Sequence, residues 1–130
     1  MAGYKRSSEG IPTVIADKFN VVLPFPPSAN RYWRSDRGGR PHVSNEARAY
    51  KTAVGYMMNQ IGGQPREGAV AVRLDFYRPA KRGDLDNLIK VTLDALIGYA
   101  YADDEQVTEI HAVRRDDKNN PRVEVEIVRL

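Results

Sequence analysis

The run Val70-Ala71-Val72-Arg73-Leu74-Asp75-Phe76-Tyr77 alternates apolar and mixed residues without a break. Soon after it, Leu85, Leu88, Ile89, Leu93, Leu96 and Ile97 recur at three- and four-residue spacing. A period of two puts Val70, Val72, Leu74 and Phe76 on one face of a strand, and a period of 3.6 puts the leucines on one face of a helix. A strand followed directly by an amphipathic helix must bury both apolar faces against other elements, which predicts a layered α+β fold.

The remaining elements read in the same way. Phe19 to Leu23 is a short strand ended by Pro24, Pro26 and Pro27, none of which can donate to a ladder. Ser44 is placed to cap a second helix whose apolar side is Ala47, Tyr50, Val54, Met57, Met58 and Ile61, with Gly62-Gly63 as its stop. Val107 to Val113 and Arg122 to Val128 alternate around an Asp-Asp-Lys-Asn-Asn-Pro loop and predict a closing antiparallel hairpin. The expected order is β-α-β-α-β-β, a mixed sheet with two helices in one domain spanning residues 19–130. Residues 1–18 are a polar arm broken by Gly3, Gly10 and Pro12.

At 130 residues the chain suffices for one domain with a real core. Its 42% hydrophobic and 28% charged content fits a globular protein, and no apolar run approaches the about 20 residues of a membrane span. The absence of cysteine excludes disulfides, thiol catalysis and cysteine-ligated zinc. His42 and His111 match no zinc spacing. With no signal-peptide pattern, a cytoplasmic location is expected.

Between the secure strand and the helix lies Arg82-Gly83-Asp84-Leu85-Asp86-Asn87-Leu88-Ile89-Lys90, and beyond the helix comes Asp103-Asp104-Glu105-Gln106. Asp86 falls near the helix start, Lys90 one turn on from it, and Asp84 in the extended approach, so two carboxylates converge. Converging carboxylates repel unless a cation or proton lies between them, and hard divalent cations take such oxygen ligands. The plainer reading is that an aspartate at a helix start caps free N–H groups. The second acidic cluster, which a loop can return to the same region, shifts the reading toward a metal site. Asp94 lies further along the helix, outside both clusters.

Positive charge is concentrated. From Arg31 to Lys51 six cations face two anions, a net +4 in a chain whose total is +3, so the remainder nets −1. Within it, Asn30, Arg31, Tyr32, Trp33, Arg34, Arg37 and Arg40 form a loop of arginines and aromatics around Gly38-Gly39. Arginine forks pair with phosphate oxygens, and aromatic rings stack on exposed bases. Lys81 and Arg82 bring further cations to the edge of the acidic stretch.

Taken together, LPFPPSANRYWR (Leu23 to Arg34), HVSNEARAYK (His42 to Lys51), GDLDNLIK (Gly83 to Lys90) and DDEQV (Asp103 to Val107) resemble the RusA family of Holliday-junction resolvases. The four motifs occur in the family's order over roughly 110 residues. The resemblance implies a homodimeric, Mg2+-dependent endonuclease, accepting Mn2+ as a substitute, that introduces paired nicks into four-way DNA junctions. Its essential carboxylates fall on Asp84, Asp86 and Asp104, and its catalytic lysine on Lys90. A slip of one residue would exchange Asp104 with Asp103. Two features depart from the pattern: the N-terminal arm has no counterpart, and Gly83 interrupts the basic run before the first aspartate. The readings of other class are a DNA-binding protein that does not cleave and a metal-dependent phosphohydrolase of small substrates.

Overall fold

A computed structural model describes residues 18–27, 33–35, 41–62, 64–80 and 84–130, with only the backbone of 33–35 and 41–43. Residues 1–17 of the arm and most of the basic loop lie outside the described residues. The elements are β1 (Lys18–Leu23), β2 (Trp33–Ser35), β3 (Pro41–Val43), α1 (Asn45–Gln60), β4 (Val70–Arg78), α2 (Leu85–Leu96), a 3-10 turn (Asp104–Gln106), β5 (Val107–Asp116) and β6 (Arg122–Arg129). An α+β fold with a mixed sheet and two helices is what the periodicities predict. The β2–β3 ladder, in which Trp33 pairs with Val43 and Ser35 with Pro41, is an addition to them. Strands of three residues are too short to show a period of two.

The main sheet has the order β1-β6-β4-β5, with β6 antiparallel to both neighbours and β4 parallel to β5. This corrects the expected closing hairpin, because β5 and β6 lie on opposite sides of β4. The reason is burial. β4 and β6 carry complete inward apolar rows, with Leu74, Phe76, Val123 and Ile127 all at 0% exposure, and such rows belong in the middle of a sheet. β5 presents Ile110 half exposed and takes the edge. The loop after β5 needs to cross about 10 Å, two strand spacings, which its five residues reach easily. Asp117 N–H donates to the Arg78 carbonyl at 2.9 Å, tying the crossing to the end of the strand it passes.

One face of the sheet receives both helices. Tyr50, Val54 and Met58 of α1 and Leu88, Val91, Ala95 and Leu96 of α2 join the inward rows in a single core. Burying each such side chain is worth about 1.5–3 kcal/mol relative to exposure. Ile61, expected on the apolar side of α1, is instead its exposed C-cap at 52%. Ser44 caps α1 as expected, its Oγ accepting from Ala47 N–H at 3.2 Å. Lys51 leaves α1 to donate to the Asp94 and Ile97 carbonyls at 2.9 and 3.3 Å, placing a cation at the negative end of α2.

Candidate active site

Asp84 is the N-cap of α2, with extended dihedrals (φ −75°, ψ 144°), yet its side chain makes no capping hydrogen bond. Asp86, in the first turn, accepts from Asn87 N–H at 3.0 Å, and both aspartates are exposed. The capping explanation of this pair therefore does not account for Asp84. It leaves its carboxylate facing solvent at the positive end of a helix dipole.

Along the same helix, Asp86, Lys90 and Asp94 follow at four-residue intervals and so share a face. Lys90 Nζ lies 3.4 Å from Asp94 Oδ2. Sequence reasoning set Asp94 apart because it belongs to neither acidic cluster; continuing the row of four would have found it.

After α2 the chain doubles back. Gly98 adopts φ +90°, a left-handed conformation that favours glycine, and its N–H donates to the Tyr101 carbonyl at 2.7 Å. Tyr101 is fully buried, and its hydroxyl donates to the Leu93 carbonyl at 2.7 Å. Burial, followed by the charges of Asp94 and Asp104, pushes that phenol far above its ordinary value, so it remains a hydrogen-bond donor. This anchor returns the acidic turn alongside the helix.

In the turn the two aspartates have different surroundings. Asp103 accepts from Glu105 N–H at 3.2 Å and belongs to a reciprocal capping box with Gln106. The Glu105 N–H, then a side-chain hydrogen bond with Asp104, hold its carboxyl below the usual range. Asp104 is shifted the other way, first by the hydrogen bond it shares with Asp103, then by desolvation, then by the charges of Asp103, Asp94 and Glu105. Asp104 thus has other carboxylates for neighbours, and a cation there would relieve their repulsion.

Asp94 is among the groups that raise Asp104, whereas Asp84 and Asp86 are not. Asp86 stands eight residues before Asp94, about 12 Å of helical rise. Among the described residues no group of three or more His, Asp or Glu side chains is gathered tightly enough to hold a metal. Asp104 therefore feels the charge of Asp94, in the row that also carries Lys90, while Asp86 lies toward the other end of that row. All these candidates offer carboxylate oxygens, the donors that suit a hard divalent cation.

Of the basic candidates, Arg34 lies on β2, its backbone in register with His42. Asn30, Arg31, Tyr32, Arg37, Arg40, Lys81 and Arg82 lie outside the described residues. Among the described residues no helix is long and apolar enough to cross a membrane.

An α+β domain with carboxylates and a lysine along one helix, followed by an acidic turn, offers the oxygen donors that divalent cations take in phosphate chemistry. Comparison with known proteins places it more closely. The family model for "Endodeoxyribonuclease RusA" matches residues 24–128, and the chain belongs to that family. It is 36% identical over 115 residues to the crossover junction endodeoxyribonuclease RusA of Escherichia coli K12, covering 86% of this chain and 95% of that protein. The enzymes of that name from Enterobacteria phage 82 and Shigella sonnei are each 35% identical, over 119 and 115 residues, with the same coverage of both chains.

Proposed function

We propose that this chain is a Mg2+-dependent endonuclease that resolves four-way DNA junctions by paired symmetric nicks, acting as a homodimer in the cytoplasm of a bacterial or phage-infected cell. The observation that carries the reading is the family match over residues 24–128, which spans the exposed Asp84 and Asp86, Lys90 and the acidic turn. Asp84, Asp86 and Asp104, which are not gathered into one cluster in this structure, are the residues that would hold the metal. Asp104 is favoured over Asp103 because the Asp103 carboxylate is already engaged in capping its own turn. Mg2+, or Mn2+ in its place, supplies neutralisation of the phosphate charge and a more acidic water when bound.

The rest of the work falls to the protein. Lys90, half exposed, offers a fixed ammonium beside the transferring phosphoryl group, where developing negative charge is greatest. Asp94 restrains it. Asn30, Arg31, Tyr32, Arg34, Arg37 and Arg40, with Lys81 and Arg82, grip the backbone of the junction arms, so that affinity falls as salt rises. A four-way junction has twofold symmetry, and a C2 dimer presents two equivalent sites to it.

The test is incubation with a labelled four-way junction, a linear duplex and a nucleotide, in Mg2+ and in EDTA. Paired nicks in the junction, in Mg2+ alone, are expected. Junction binding without cutting would make the chain a structure-specific binding protein, and nucleotide hydrolysis would make it a small-substrate phosphohydrolase.

A further inference from the structure

The side chain of Gln106 makes four hydrogen bonds, all within the protein. Its Oε1 accepts from Ala102 N–H at 2.8 Å and Asp103 N–H at 3.0 Å. Its Nε2 donates to the carbonyls of Arg66 and Gly68 at 2.7 and 2.8 Å. A primary amide has two donor hydrogens and two acceptor lone pairs, so every one is used. The two ends of this one group grip two different segments: the entry to the acidic turn and the stretch leading into β4.

The segments also meet through the backbone, with Arg66 N–H donating to the Ala100 carbonyl at 2.9 Å and a parallel bridge between Arg66 and Tyr101. Those contacts end before residue 102. Asp103, Asp104 and Glu105 are all exposed, so burial does not hold the turn in place. Gln106 closes this turn from its far side and ties it to the segment before β4.

We propose that Gln106 is the positioning residue for Asp104: its amide clamps the acidic turn to residues 66–68 and so holds the Asp104 carboxylate where a divalent cation is bound. The proposal rests on the reading of Asp104 as a metal ligand. Gln106 touches no substrate, because its amide is fully engaged internally. No other natural side chain of this length reproduces the clamp. A glutamate keeps the acceptor oxygens and turns a carboxylate against two carbonyls, and an alanine removes both ends.

The experiment compares the parent with Gln106→Ala, Gln106→Glu and Asp104→Asn. Mn2+ binding is measured by calorimetry without DNA, amide hydrogen exchange at Ala102 and Asp103 by NMR, and junction cleavage over a Mg2+ series. Both Gln106 variants should stay folded, exchange faster at those two amides and bind Mn2+ about tenfold more weakly, as is usual for loss of a group that orients a ligand. The half-saturating Mg2+ concentration should rise by about the same factor. Junction affinity in EDTA should not change.

A folded Gln106 variant with parental Mn2+ affinity, beside an Asp104→Asn protein that has lost it, overturns the clamp and leaves the ligand reading standing. Parental Mn2+ affinity in Asp104→Asn itself overturns the ligand reading and the clamp's purpose with it. If both Gln106 variants are unfolded, the residue is structural and the positioning role is withdrawn.

Discussion

Lys90 is paired with Asp94 one turn further along α2, Nζ to Oδ2 at 3.4 Å, and Asp94 is in turn one of the charges acting on Asp104 across the gap. The charge of Asp94 thus acts on both Lys90 and Asp104, although its place in the sequence gives it no membership of either acidic cluster. Asp94→Asn removes the charge on one side of this pair. Junction cleavage in Mg2+ should fall about tenfold, the size expected for a group that orients another. A parental initial rate would show that Lys90 needs no such restraint.

Asp86→Asn and Asp104→Asn keep side-chain size and remove the charge that recruits a cation. Cleavage should drop by more than about a hundredfold in each, comparable to losing a main electrostatic contributor to a transition state. Junction binding should persist or tighten as repulsion of phosphate falls. Were Asp86 only a cap, asparagine would serve nearly as well and activity would stay within a few-fold. Gel-shift and cleavage assays on the same preparations, with thermal unfolding as the control for folding, separate the two cases.

The basic loop is tested by salt. Arg31→Ala together with Arg34→Ala should weaken junction binding broadly and flatten the slope of log affinity against log salt by about 2, roughly one for each lost phosphate contact. An unchanged slope in a fluorescence-anisotropy titration would move the DNA surface elsewhere.

A pH test concerns the crossing that separates β5 from β6. Asp117 Oδ2 lies 2.9 Å from Arg122 Nη1, and its Oδ1 accepts from the Asn119 and Asn120 N–H groups at 3.2 Å. The Arg122 hydrogen bond, with smaller help from those N–H groups, holds its carboxyl below the ordinary 3.8. A folded pKa below the unfolded one gives stability that is present above the unfolded value and lost as pH falls through the folded value. Asp117→Asn should therefore lower Tm at pH 7, and the difference from the parent should close below the ordinary carboxylate range. A gap that persists unchanged at pH 2 would mean that geometry, and not charge, carries the effect.

Where a stretch had one strong periodicity, its element followed from the residues alone. Val70 to Phe76 could bury one face only as a strand, and Leu88 and Leu96 share a face only on a helix. Ser44 identified its helix start because a hydroxyl there satisfies a free N–H. The exposed Asp84 and Asp86 and the acidic turn were likewise visible, since acids at a strand-to-helix junction and after the helix are local facts of the chain.

The neighbour of each strand was not legible. An inward row such as Val123, Val125 and Ile127 requires a buried place in a sheet without saying beside which strand. β6 lies between β1 and β4 because only there do both of its edges find ladders over a complete core. The same holds for the site. That Asp103 caps its turn while Asp104 feels the charge of Asp94 depends on the Tyr101 hydroxyl anchoring on the Leu93 carbonyl and on Gln106 bridging to Arg66 and Gly68. Those contacts join residues 8 to 40 positions apart. Sequence determined which groups are candidates for the chemistry, and the closure of those distant contacts decided where the acidic turn is held.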